Sequence, residues 1–248
     1  APLTLARERV VPVVEPLRGL FVEGGIIRGQ VVSCQGPAAT STAFALVGEA
    51  MGEGAWMAVI DVGTFGLDAA VELGLPLERV VRVDTETEWV EVIGAALDGF
   101  DLVLTRSPAA GDRRQPASVR KLMSRLQQRG AVVIALGDPG VLPADLTITS
   151  IGVGWSGLAL AAGHLQYRRV DLESSGRRHP GVRSCSVEFV GARHGVDQVT
   201  GVDGIGRHDV DPQEQVVREM SAGPAPSDAR VGPAEDRSGG RGGRLEAG

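Results

Sequence analysis

Hydrophobic and polar positions alternate between two periods along the first two thirds of the chain. Residues 30–34 form a short β-branched run that ends at Gly36-Pro37. Residues 42–51 then place Phe44, Ala45, Leu46, Val47 and Ala50 at helical spacing. Residues 56–60 are apolar at consecutive positions, as in a strand buried on both faces. A short helix is predicted over 64–73 and a strand over 79–83. Asp84 and Thr85 offer N-caps to a helix through Trp89, Val92, Ile93 and Ala96, closed by Gly99. Residues 102–105 read as another buried strand. Residues 116–129 carry Val119, Leu122, Met123 and Leu126 on one helical stripe that Gly130 ends. Residues 131–136 complete the run of buried strands.

Beyond Pro143 the period changes. Residues 145–149, 164–172 and 184–190 alternate or are β-branched, with turn residues between them, and predict an antiparallel extension. The expected fold class is therefore α/β, a mostly parallel central sheet flanked by helices with antiparallel strands on its C-terminal side. Residues 1–22 read as an N-terminal arm, 23–190 as the core domain and 191–248 as a disordered tail. From residue 201 onward the chain has no aromatic residue and one leucine, Leu245. Such a segment buries too little apolar area to offset its ordering entropy. One island in it, Val216, Val217 and Met220 after Asp211-Pro212, is a candidate partner-binding helix. In the arm, Val10, Val11, Val13 and Val14 are candidates for adding a strand to a partner's sheet edge, where Pro12 is tolerated. The rival reading packs the arm on its own core.

Composition narrows the chemistry. The 248 residues carry 25 Lys and Arg against 31 Asp and Glu, a net charge of −6, which argues against a surface built throughout to grip nucleic acid. No apolar run approaches the roughly 18 residues of a membrane span, and no secretory leader is recognised at the start. Two cysteines, Cys34 and Cys185, make neither a disulfide framework nor a zinc quartet, so a reducing cytoplasm is expected. Cys34 reads as a buried, inert small hydrophobe. His164, His179, His194 and His208 lack metal-ligand spacing, and no metal is expected. Trp56, Trp89 and Trp155 read as core residues, with Trp155 the candidate for an exposed contact.

A strand, a glycine turn and a helix form the place for a mononucleotide site. A phosphate loop there needs two glycines to open the backbone, a lysine for the β/γ charge and a hydroxyl for magnesium. Here Gly36 is followed by Pro37, Ala38, Ala39, Thr40, Ser41, Thr42 and Ala43. Ser41 stands at the second glycine, Thr42 at the lysine and Ala43 at the hydroxyl. Lys121, the sole lysine of the chain, lies several elements later. A magnesium-binding acid at the end of the strand over 102–105 is replaced by Arg106. A catalytic carboxylate past the strand over 56–60 is replaced by Gly63, with Asp61 nearby. Three parts of one site are missing together, so no nucleotide cofactor and no catalytic residue are expected.

The segment from Glu23 through Val32, EGGIIRGQVV, followed by Gly36-Pro37, resembles the entry to a RecA core, and the element order through Gly137-Asp138 is similar over roughly residues 10–190. A RecA core of this size without its ATP site resembles the ImuA family, in particular its actinobacterial ImuA-prime type. The resemblance implies a non-catalytic accessory of damage-induced mutagenesis, working in the cytoplasm and at the nucleoid when recruited. Its implied partners are an ImuB-like Y-family polymerase homologue and an error-prone replicative-type polymerase, with RecA as a further candidate. DNA contact would be weak, through the loop carrying Arg113 and Arg114. Two other readings stand beside it. One is a divergent ATPase or recombination protein using Asp61, Thr40 and Ser41. The other is a cell-division inhibitor of the SulA type.

Overall fold

The computed structural model describes residues 9–85, 88–108, 116–159, 162–177, 180–190 and 199–201, all within the compact unit Ala1–Ile205. The strands are β1 (Val10–Pro12), β2 (Gly25–Ile27), β3 (Val31–Gln35), β4 (Met57–Ile60), β5 (Val80–Val83), β6 (Leu102–Thr105) and β7 (Val132–Leu136). They continue with β8 (Leu146–Ala159), β9 (Ala162–Gly176), β10 (Arg183–Val190) and β11 (Val199–Gly201). The helices are α1 (Ala39–Gly52), α2 (Leu67–Glu72), α3 (Trp89–Gly99) and α4 (Pro116–Arg129). Two 3-10 turns, Glu15–Leu20 and Leu77–Arg79, complete the set.

One nine-stranded sheet runs in the order β11-β10-β9-β8-β3-β7-β6-β4-β5. From β8 to β5 every neighbouring pair is parallel, and from β8 to β11 every pair is antiparallel. The expected fold class holds in this form. Residues 145–149, expected to begin the antiparallel extension, instead pair parallel with β3 along one edge and antiparallel with β9 along the other. The strand is the seam between the two halves of the sheet.

Each face of the parallel half buries its own set of side chains, as strand alternation requires. Val32 and Cys34 of β3, with Leu102, Leu104, Val132 and Ile134, pack beneath α1. Val31, Ala58, Ile60, Val103 and Val133 pack beneath α3 and α4 through Trp89, Ile93, Leu97, Leu122 and Leu126. Helix α1 is covered on both sides, so its residues from Thr42 through Val47 are buried without an amphipathic stripe. Its second cover is the N-terminal segment. Strand β1 pairs antiparallel with β2 of the same chain, and Val11, Val13, Leu17 and Leu20 are buried in the α1-side core. Ser174 of β9 donates a hydrogen bond to the Leu20 carbonyl (2.7 Å) and ties the segment to the sheet. The candidate partner strand of Val10, Val11, Val13 and Val14 is therefore corrected. Within this fold Val11 and Val13 are enclosed, and only Val10 and Val14 are partly open, because the apolar residues of the segment alternate inward.

Two further expectations change. The helix after β5 begins at Trp89 without a side-chain cap, and Asp84 and Thr85 lie in the preceding turn. Residues 199–201, expected in a disordered tail, form β11 through a ladder with Val187–Phe189 of β10. The island of Val216, Val217 and Met220, together with Arg113 and Arg114, lies outside the described residues.

Candidate functional site

In parallel sheets ligands bind outside the carboxyl ends of the strands, so the turns after β3, β4, β6 and β7 form the place to look. Strand β3 ends in Gly36, whose φ of +85° is open to glycine at little cost. Helix α1 then starts with Ala38 at its N-cap position and no side-chain cap of its own. The missing cap comes from β8. Ser150 Oγ accepts the Ala38 N–H (2.9 Å) and donates to the Gln35 carbonyl (3.0 Å). A Cβ on Gly36 would lie 2.3 Å from the Ser150 carbonyl oxygen and 2.5 Å from its Oγ. Ser150 of the neighbouring strand thus takes the cap role at the turn where a phosphate loop would hold an anion. Pro37 is exposed and Thr40 and Ser41 are half-buried. Thr42, at the position of the loop lysine, is buried, and its hydroxyl has no hydrogen-bond partner.

The other strand ends carry their own locks. Ser33 donates to the Gly137 carbonyl (2.8 Å), and the Gln35 amide donates to Ser33 Oγ (3.0 Å). Thr105, at the end of β6, accepts the Trp89 indole N–H (3.0 Å) inside the core. Arg106 follows on the surface, and a Cβ on Gly137 would lie 3.6 Å from its Nη1. Arg106, at the β6 end where a magnesium site would place an acid, thus carries its cation toward the end of β7. In the loop after β7, Asp138 accepts the Gly140 N–H (2.7 Å). Gly140 has φ +59°, and a Cβ there would come within 2.0 Å of the Pro108 carbonyl oxygen. The loops after β6 and β7 are clasped together.

Asp61, at the end of β4, adopts φ +53°, a conformation rare outside glycine. Its carboxylate accepts both the N–H of Thr85 (2.6 Å) and the Thr85 hydroxyl, and its own N–H donates to Val83 O (3.1 Å). Asp61 is thereby committed to holding the exit of β5. Strand β4 is three strand spacings from β3, about 14 Å at the usual spacing. The structure does not bring Asp61 together with Thr40 and Ser41. Gly63 is exposed, and a Cβ there would meet nothing within 4 Å.

A cleft of about 450 Å³ opens at the opposite, amino end of β3 and β8. Arg9, Phe21, Arg28, Gln30, Gln127 and Asp145 line it. The Asp145 carboxylate already accepts the Val31 N–H (3.0 Å) and so serves the fold; Glu23 also lines the cleft.

The remaining sequence candidates separate. Arg125, on α4, pairs with Asp98 of α3, as does Arg129 (2.8 Å), and the two guanidinium groups hold that carboxyl below its ordinary range. Trp89 is in the core, but Trp56 is 45% exposed, because it stands before β4 at the sheet's amino edge rather than within the strand. Trp155 is 49% exposed. No group of three or more His, Cys, Asp or Glu fit to hold a metal occurs among the described residues. Among them, no helix is long and apolar enough to cross a membrane.

Burial pushes the Cys34 thiol up to about 12, and burial together with the Asp171 charge pushes Cys185 up to about 11. At pH 8 each is a thiolate in at most about one part per thousand. The native chain is expected to react slowly with Ellman's reagent at Cys185 and at Cys34 only after unfolding. Rapid release of two equivalents from the folded chain would contradict this.

Sequence reasoning missed Ser150. Its signal was a polar residue at an inward position after Leu146 and Ile148. The fold and these turns define an α/β protein with a parallel sheet whose mononucleotide-type turn is closed by its own side chain. The family described as the MT3502 N-terminal domain matches residues 19–141 of the chain. The chain is also similar to the uncharacterized protein Rv3395c of Mycobacterium tuberculosis (strain ATCC 25618 / H37Rv), with 32% identity over 97 residues. That match covers 39% of this chain and 47% of the mycobacterial protein, about half its length. The family match spans strands β3 to β7, the parallel part of the sheet that carries the turns described above.

Proposed function

We propose that the chain is a non-catalytic RecA-like accessory of the ImuA-prime type, an adaptor in damage-induced translesion synthesis. The observation that carries the reading is Ser150 in the turn after β3, hydrogen-bonded to both the Gln35 carbonyl and the N–H of Ala38, the N-cap of α1. Two other features support it. Arg106 and Gly63 occupy the positions of the acids, and Asp61 is bound to Thr85. The similarity to a mycobacterial protein is in keeping with an actinobacterial origin. In this reading an ImuB-like Y-family homologue and an error-prone replicative-type polymerase are recruited by protein contacts, with RecA as a further partner. Any DNA contact is secondary. The site of action is the cytoplasm, at the nucleoid when recruited.

The test is calorimetric titration with ATP and ADP, with and without magnesium, followed by pull-down of an ImuB-like protein. No heat is expected, and capture that survives apyrase treatment. Micromolar binding, worth about 8 kcal/mol, would overturn the loss of the nucleotide site. Failure to capture the partner in the presence or absence of nucleotide would overturn the adaptor role. Filamentation of undamaged cells on overexpression would point instead to a division inhibitor.

A further inference from the structure

The antiparallel half of the sheet carries a feature that the nucleotide-type turn does not explain. Cross-strand register places Trp155 of β8, Arg168 of β9 and Phe189 of β10 in one row. The next row is Val153, Val170 and Val187. Val170, Val187 and Phe189 are buried, whereas Val153 is 36% and Trp155 49% exposed. The same sheet face is thus core at one end and open apolar surface at the other. The Arg168 guanidinium lies 5.4 Å from the Trp155 ring centre and 5.0 Å from that of Phe189. It is half-buried between two rings, and among the described residues no carboxylate or hydrogen-bond acceptor pairs with it. The described acids nearest in register are on the other face. Asp171 and Glu188 alternate away from Arg168, and Asp171 is engaged by Ser186 (2.5 Å) and Arg169 (3.5 Å).

A half-buried cation without a counter-ion is costly, and the described residues provide none. Cation–π contact orients the guanidinium but leaves its planar donor edge unused. An exposed tryptophan beside an arginine held by two aromatic rings is the composition of an interface anchor. We propose that the Val153–Trp155–Arg168 surface docks a peptide segment of another protein that presents apolar side chains and an Asp or Glu, the carboxylate pairing with Arg168. Nucleic acid fits less well. Base stacking on Trp155 would need a basic track for the backbone, and Arg169, the adjoining cation, is already paired with Asp171. The proposal goes beyond the adaptor reading, since it names a surface and a ligand chemistry irrespective of which complex is served.

The experiment selects a random-peptide phage library on the full chain and measures the enriched peptides by fluorescence anisotropy. Acidic peptides with an aromatic or aliphatic residue nearby are expected. Trp155→Ala should weaken them by about tenfold or more. Arg168→Glu should do the same, and a Glu→Lys or Asp→Lys exchange in the peptide should restore binding to that variant. Circular dichroism melts of both variants confirm folding, and Arg168→Gln replaces Arg168→Glu if the latter unfolds. Failure to enrich any peptide, enrichment of basic peptides, or affinities unchanged by Trp155→Ala would overturn the proposal. So would an oligo(dT) probe whose binding is lost in Trp155→Ala while peptide binding is not. The readout does not involve nucleotide, so its failure is separable from failure of the adaptor reading.

Discussion

Gly36→Ala is expected to destabilise the chain by about 3 kcal/mol. A left-handed alanine costs roughly 1–2 kcal/mol. Its Cβ would also press to within 2.3 Å of the Ser150 carbonyl oxygen, a backbone atom that cannot rotate away. Relieving that overlap means shifting β8 from β3 or the start of α1 from its cap, at a further cost of about 1–3 kcal/mol. Gly63→Ala is the control, because nothing lies within 4 Å of its added methyl and its φ is not positive. It should change stability by less than about 0.5 kcal/mol. Urea unfolding followed by circular dichroism measures both. Equal effects at the two glycines would show that the β3 turn is not closed on Ser150.

Removal of residues 1–22 is expected to abolish cooperative folding. The deletion takes Val11, Val13, Leu17, Leu20 and Phe21 from the core, all of them buried. Each contributes about 1.5–3 kcal/mol through burial. Together they match or exceed the whole stability of an ordinary domain, about 5–15 kcal/mol. The deletion also removes the ion pair of Arg18 with Glu49 of α1 (3.1 Å). Differential scanning calorimetry should show no transition in the truncated chain. A truncated chain that melts like the full one would return the segment to the role of a partner-docking arm.

The parallel half of the fold is legible because β4 and β7 are short and continuously apolar, and a glycine follows β3 and β7. Residues 102–105 and 116–129 are strand and helix at the residues predicted, since both combine a strong period with clear ends. The segment 1–22 was ambiguous for a physical reason. Val10, Val11, Val13 and Val14 suit an edge strand equally well whether the edge belongs to this chain or another. Only the pairing with β2 and the burial beneath α1 decide it. Asp84 and Thr85 are good caps by composition, yet Asp61 claims Thr85 from a strand away, and the helix starts later.

The sequence by itself determined the alternation of strands and helices, and also that no lysine follows the glycine turn after β3. Residue type and local spacing carry both, and neither needs a distant contact. Tertiary structure alone decided what occupies the turn after β3, where Asp61 points its charge, and which arginines meet acids and which meet aromatic rings. Ser150 is 114 positions from Gly36, and Arg168 meets Trp155 only through strand register. Contacts between residues so far apart follow from strand order and register, which a linear pattern of hydrophobic and polar residues does not specify.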